Sequence, residues 1–143
     1  MKLPAKIEYG CKAVMELALR YNGHAPVRIS IISHLQNIPS KFLVQILIRL
    51  KNARIVESAR GISGGYFLAK PPSQISLADV FMAMDDNIIG GHVHYKGSRG
   101  KDADSLVVRL WQEISEDVVN RLKHTTYDDL VSKFKNGQVT YDI

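Results

Sequence analysis

The sequence holds a single cysteine, Cys11, in 143 residues. That count excludes an internal disulfide, and a lone thiol inside the apolar run YGCKAVMELAL reads as a small buried hydrophobe. No run of 18 apolar residues occurs, which argues against a bilayer-spanning helix and against a membrane as partner. The opening MKLPAKIEYG carries charge without the apolar core and small-residue cleavage site of a secretory signal, so a cytoplasmic location is expected. There is also no Gly-rich phosphate loop, no pair of metal ligands at helical spacing and no nucleophile with a base at motif spacing. The expectation is therefore a protein that is not an enzyme.

Acidic residues are scarce in the first half. Residues 1–70 hold eleven Lys/Arg against three acids, a net of +8, whereas residues 71–143 hold eight against eleven, a net of −3. Such a split suggests that the first half faces a polyanion, with nucleic acid the foremost candidate. An anionic membrane surface fits less well, because the cations are spread over several segments and not gathered on one amphipathic helix.

The pattern along the first half supplies the shape. In AKIEYGCKAVMELALRYNG, Ile7, Cys11, Val14, Met15, Ala18 and Leu19 recur at three and four, and Asn22-Gly23 stops the run; this predicts an amphipathic helix. VRISIISHLQ predicts a second, shorter one. In NIPSKFLVQILIRLKNA, Leu43, Ile46, Leu47 and Leu50 form a buried stripe, and Asn37, or else Ser40, is expected to cap the start. The opposite face carries Lys41, Gln45, Arg49 and Asn52, long polar side chains suited to base edges and phosphates. RIVESA and GYFLAK then flank RGISG, a β-hairpin with glycines where positive φ is easiest. Helix, short helix, polar-faced helix and hairpin is the order of a winged helix-turn-helix, whose third helix enters the major groove while the hairpin lies beside it. Arg60 at the tip suits a narrow, electronegative minor groove. Gly61, Gly64 and Gly65 would let the turn come close to the sugar-phosphate wall, in addition to their plain turn chemistry.

From Ser105 to Lys123, Leu106, Leu110, Ile114, Val118 and Leu122 fall four apart, flanked by Val107, Trp111 and Val119. The stripe is wider than one small lobe covers. Two such helices packed across a two-fold axis would bury it, and the axis would match a palindromic operator; packing on the chain's own winged domain is the coexisting alternative. TTYDDLVSKF predicts a closing helix capped by Thr125 or Thr126. The fold expected is mostly α with a small β-hairpin: a winged helix-turn-helix over 1–85, a sensor-type loop over 86–104, and a dimerisation helix with a C-terminal helix over 105–143.

Three segments carry a resemblance: KIEYGCKAVMELA at the start, NIPSKFLVQILIRLKNARIVESARGISGGYFLAKPPSQISLADVFMAMD from Asn37 to Asp85, and LWQEISEDVVNRL. Together they resemble the Rrf2 family of bacterial transcription regulators over most of the chain, and the pattern FLxQILxxLKxAxIVxSxRGxxGGYxLA is specific. The resemblance implies a homodimeric repressor or activator that binds a palindrome through one winged helix-turn-helix per subunit. Its DNA-contacting positions map onto Ser40, Lys41, Gln45 and Arg60; with Arg49, Gly61, Ser63 and Gly64 they form the expected DNA-binding set. Leu106, Leu110, Trp111, Ile114 and Val118 form the expected dimerisation set.

Many family members hold an iron-sulfur cluster on three cysteines in the loop before the long helix. In this chain the loop is DDNIIGGHVHYKGSRGKDADS and contains none, and imidazole, carboxylate and hydroxyl groups do not replace a full set of thiolates. His92, Ser98 and Ser105 fall at spacings close to those of the usual cysteines, and Glu8 sits where some members recruit an acidic ligand; a sensor with substituted ligands stays open on that ground. His92 and His94 could share one side of an extended segment, with Asp85, Asp86, Asp102 or Asp104 nearby in sequence. Two histidines fall short of a site, so solvated histidines and no cofactor are the expectation. The input is then a partner protein or a small effector, with Cys11 a poor redox candidate because burial hides a thiol and raises its pKa. The remaining rival is a basic adaptor that docks an acidic protein.

Overall fold

The computed structural model of the chain describes residues 2–23, 25–85, 87 and 103–137. Three helices come first: α1 (Ala5–Leu19), α2 (Ile29–Gln36) and α3 (Ser40–Asn52). A hairpin of β1 (Val56–Ala59) and β2 (Gly65–Leu68) follows, with Val56 opposite Leu68 and Ala59 opposite Gly65. A 3₁₀ turn (Pro72–Gln74) leads into α4 (Leu77–Met84), and the described chain ends with α5 (Ala103–His124) and α6 (Tyr127–Lys135). This is a mostly helical fold with one antiparallel hairpin, the winged helix-turn-helix that the element order predicts.

One apolar core joins these elements. Ile7, Val14 and Leu17 of α1, Ile32 of α2, the α3 stripe Leu43, Ile46, Leu47 and Leu50, and Val56 and Leu68 of the hairpin meet with Val80 and Met84 of α4. Tyr127 and Val131 of α6 belong to the same core, so the closing helix returns to the winged body instead of extending away with α5. Tyr127 is fully buried and its hydroxyl donates to the carbonyl of Cys11 at 3.1 Å, which satisfies the polar end of a large apolar side chain.

The helix starts follow local chemistry with one revision. Ser76 and Thr126 each accept from the backbone N–H three residues on, and Asp79 and Asp129 accept from the backbone N–H of Ser76 and Thr126 in return; both are complete capping boxes. Thr126, not Thr125, is thus the cap of α6. A short β-bridge between Ser76 and Thr126 ties the two helix starts together. Asn37 does not cap α3, as the sequence pattern suggests; it closes α2 in the left-handed region at φ 52°, a conformation its short polar side chain tolerates. Ser40 is already the first residue of α3, the N-cap being Pro39, and its hydroxyl lies 3.2 Å from that of Ser33.

The hairpin is held to the body by a third short strand contact. Val27 and Tyr66 exchange both backbone hydrogen bonds, at 2.7 and 2.8 Å. A Cβ at Gly65 would overlap the Val27 carbonyl, and one at Gly64 would meet the Ala59 oxygen at 2.5 Å. These two glycines are therefore needed inside the protein, by the turn and by the close approach of the strand.

Candidate nucleic-acid interface

Two side-chain ties frame the outward face of α3. On one flank Lys51 Nζ donates to Ser58 Oγ of β1 at 2.6 Å, joining the helix to the wing. On the other flank Arg49 donates to the carbonyl of Met84, the last residue of α4, at 2.9 Å. With about 100° per residue, the arc between them contains Lys41, Gln45 and Asn52, all exposed, together with Val44 and Ile48. The expected polar set is thus sorted: Lys41 and Asn52 stand at the centre, Gln45 lies between them and Arg49, and Arg49 is a border residue engaged with α4. Lys41 lies over the Phe42 ring at 5.6 Å, a cation–π contact that steadies an otherwise mobile side chain. Ser40, exposed at the N-terminus of the helix, lies just outside the Lys51 edge of this arc, with its hydroxyl beside Ser33 of α2.

Beside this face the wing carries Arg60, Gly61 and Ser63, all exposed, with Gly64 half-buried. Gly61 adopts φ 105°, which an L side chain rarely does, and nothing lies within 4 Å of where its Cβ would be. Arg28, just before α2, donates to the Ile62 carbonyl at 2.8 Å and so pins the wing tip to the helix-turn-helix. Arg28, Ser30, Ser58 and Arg60 line an open cleft of about 530 Å³ between α2 and the wing, where two guanidinium groups suit a backbone phosphate. Of the eleven cations of the first half, Arg28, Lys41, Arg49, Lys51 and Arg60 lie on or beside α2, α3 and the wing.

Among the described residues, one side of α5 keeps its apolar side chains open. Leu106, Val107, Leu110, Trp111, Ile114 and Val118 are each about half exposed or more, with Trp111 at 53%. The helix leans on α4 through its other side, where Val119 and Leu122 are half-buried.

Several features were not read from the sequence. The ties of Arg28, Arg49 and Lys51 join segments distant along the chain, and nothing local announces them. Glu16 stands at the edge of the buried side of α1 and is itself buried, with Arg20 at 3.5 Å and the Gln36 amide donating to it at 3.3 Å. The outward apolar pair Val44 and Ile48 was hidden by the stronger buried stripe on the same helix.

A third helix framed for outward contact, flanked by a pinned, arginine-bearing wing and lying on the cationic half of the chain, defines a DNA-binding transcription regulator of the winged helix-turn-helix class. Comparison with known proteins makes the class specific. The family model described as Rrf2, iron-dependent transcriptional regulator, matches residues 3–133, and the chain belongs to this family. It is 33% identical over 135 residues to the HTH-type transcriptional regulator IscR of Cereibacter sphaeroides, spanning 92% of this chain and 87% of that one. It is 32% identical over 143 residues to IscR of Klebsiella pneumoniae, spanning 100% and 85%. Among solved structures it resembles CymR, the global cysteine regulator of B. subtilis, with a TM-score of 0.75, 29% identity and coverage of 92% and 97%. It also resembles T. potens IscR, with a TM-score of 0.78, 26% identity and coverage of 99% and 93%.

The family description names iron dependence, and an iron-sulfur cluster takes several thiolates, whereas this chain holds one cysteine. Its sole thiol, Cys11, lies on α1, where burial raises its pKa to about 11, opposed by the Tyr127 hydroxyl and reinforced by the charge of Glu8. Glu8 itself pairs with Lys12 at 2.9 Å. Among the described residues no group of three or more His, Cys, Asp or Glu side chains is placed to hold a metal. His92, His94, Ser98 and most of the 86–104 stretch lie outside the described residues. Ser105, at the start of α5, is buried, and its hydroxyl has no hydrogen-bond partner among the described residues. Among those residues, too, no helix is long and apolar enough to cross a membrane.

Proposed function

We propose that the protein works in the cytoplasm as a homodimer that binds a palindromic operator, with α3 of each subunit in the major groove and the wing along the adjacent minor groove. The observation that carries this reading is the framed arc of α3, where Lys41 and Gln45 face outward between the Lys51–Ser58 and Arg49–Met84 ties. Gln45 is the base-reading residue, through the bidentate pattern a glutamine makes with adenine. Arg60 supplies charge to the minor groove; Ser40, Ser63 and the Gly61–Gly64 turn set the backbone distance. The uncovered apolar side of α5, Leu106, Leu110, Trp111, Ile114 and Val118, supports a two-fold contact between copies. The regulator acts without an iron-sulfur cluster, and its signal arrives through a partner protein or a small effector.

The test is binding measured at fixed salt to duplexes selected by the protein from a random pool. Gln45→Ala should relax preference for the selected sequence over its single-base variants, by about tenfold at one position of each half-site. Arg60→Ala should weaken selected and scrambled duplexes to a similar degree. A protein that enriches no sequence, or that binds polyglutamate as tightly as DNA, is an adaptor and not a reader of operators.

A further inference from the structure

We propose that Val44 and Ile48 are specificity-determining residues that read the C5-methyl groups of thymines in the operator, the apolar complement to the adenine contact of Gln45. The inference rests on the DNA-binding reading and deepens it. Val44 is 39% and Ile48 48% exposed, and the two are one helical turn apart in a single row. Their row runs beside Lys41 and Gln45, inside the arc that the Lys51 and Arg49 ties delimit. Both side chains are branched at Cβ and therefore stiff, so they present a fixed apolar surface to whatever docks there.

The surroundings identify the occupant. The α3 helix contains no acidic residue; Lys41 and Lys51 flank the apolar pair on the helix itself, and Arg28 and Arg60 line the cleft beside the wing. A partner for this face must be a polyanion that also offers small apolar spots. The major groove of DNA has this chemistry, because thymine alone of the four bases places a methyl group on the groove floor between phosphate walls. A hydrophobic protein surface would meet uncompensated cations around its rim, and an acidic one would leave Val44 and Ile48 against charged groups. The pair thus predicts half-sites in which thymines neighbour the adenine read by Gln45.

Replacing thymine by deoxyuridine removes only the methyl group and keeps the base pair. In the selected duplex, each thymine is exchanged in turn and affinity for the full-length protein is measured. The wild-type protein should lose about three- to fivefold at one or two positions per half-site, the value of one buried carbon. Ile48→Ser should abolish that loss at one position and Val44→Ser at another, each leaving the Gln45-dependent preference in place. Indifference of the wild-type protein to every uracil, or variants that keep its uracil sensitivity unchanged, would overturn the proposal while leaving operator recognition intact. Failure to enrich any sequence would instead overturn the operator reading, and this inference with it.

Discussion

Cys11 shows how an environment decides what a side chain is able to do. Its thiol sits on the buried flank of α1, its backbone carbonyl taken by Tyr127, and desolvation carries its pKa to about 11 from 9.0. At pH 8 the native protein should react with iodoacetamide on the order of 100-fold more slowly than the urea-unfolded chain, because two pKa units remove that share of thiolate. Mass spectrometry of timed samples checks this; equal rates in both states would show that the thiol is open to solvent. The folded value lies above the unfolded one, so this group's contribution to stability is intact below about pH 9 and is lost as pH climbs through 11. The sequence reads Cys11 as buried because its neighbours recur at three and four; it is half-buried, packed against the core from its edge. The burial of Glu16 was not legible, because one of its two partners, the Gln36 amide, lies twenty residues away, and only Arg20 is a neighbour on the same helix.

At the scale of elements, the hairpin depends on contacts that its own sequence does not contain. Gly65 is fixed by the Val27 carbonyl from before α2, so Gly65→Ala should force the strands apart and cost about 1–3 kcal/mol. Urea unfolding measures the loss, and a variant as stable as the parent would mean that the Val27–Tyr66 bridge is dispensable. The order of most elements was readable because α1, α3 and α5 carry a 3.6-residue period and the hairpin a glycine-rich turn, whereas the eight-residue α4 and the 3₁₀ turn before it are too short to show one. Helix boundaries were less so: Asn37 is a good N-cap by composition, yet the chain uses its tolerance of positive φ to end α2. Both roles suit asparagine, and the turn into Pro39 decides between them. The third strand contact at Val27 is a single bridge, too short for any alternation to appear in the sequence.

For the whole molecule, the decisive feature is a long helix with apolar side chains on the side away from the body. A monomer would leave Leu110, Trp111, Ile114 and Val118 in water, each about half exposed. Leu110→Glu should therefore shift the protein from dimer to monomer in sedimentation velocity at micromolar concentration and weaken operator binding by at least tenfold. A dimer that persists in this variant places the interface elsewhere. The width of the α5 stripe was visible in the sequence; its separation from the winged core was not, because the same period serves an internal contact. The return of Tyr127 into the first core was not legible for a related reason, since a short helix near the end of a chain gives no sign of what it will cover.

The bond from Arg49 to the last carbonyl of α4 ties the DNA-reading helix to the segment on which α5 leans. In the dimer proposed above, the setting of α5 would thus reach α3 through α4 and a bond that borders the outward arc without filling it.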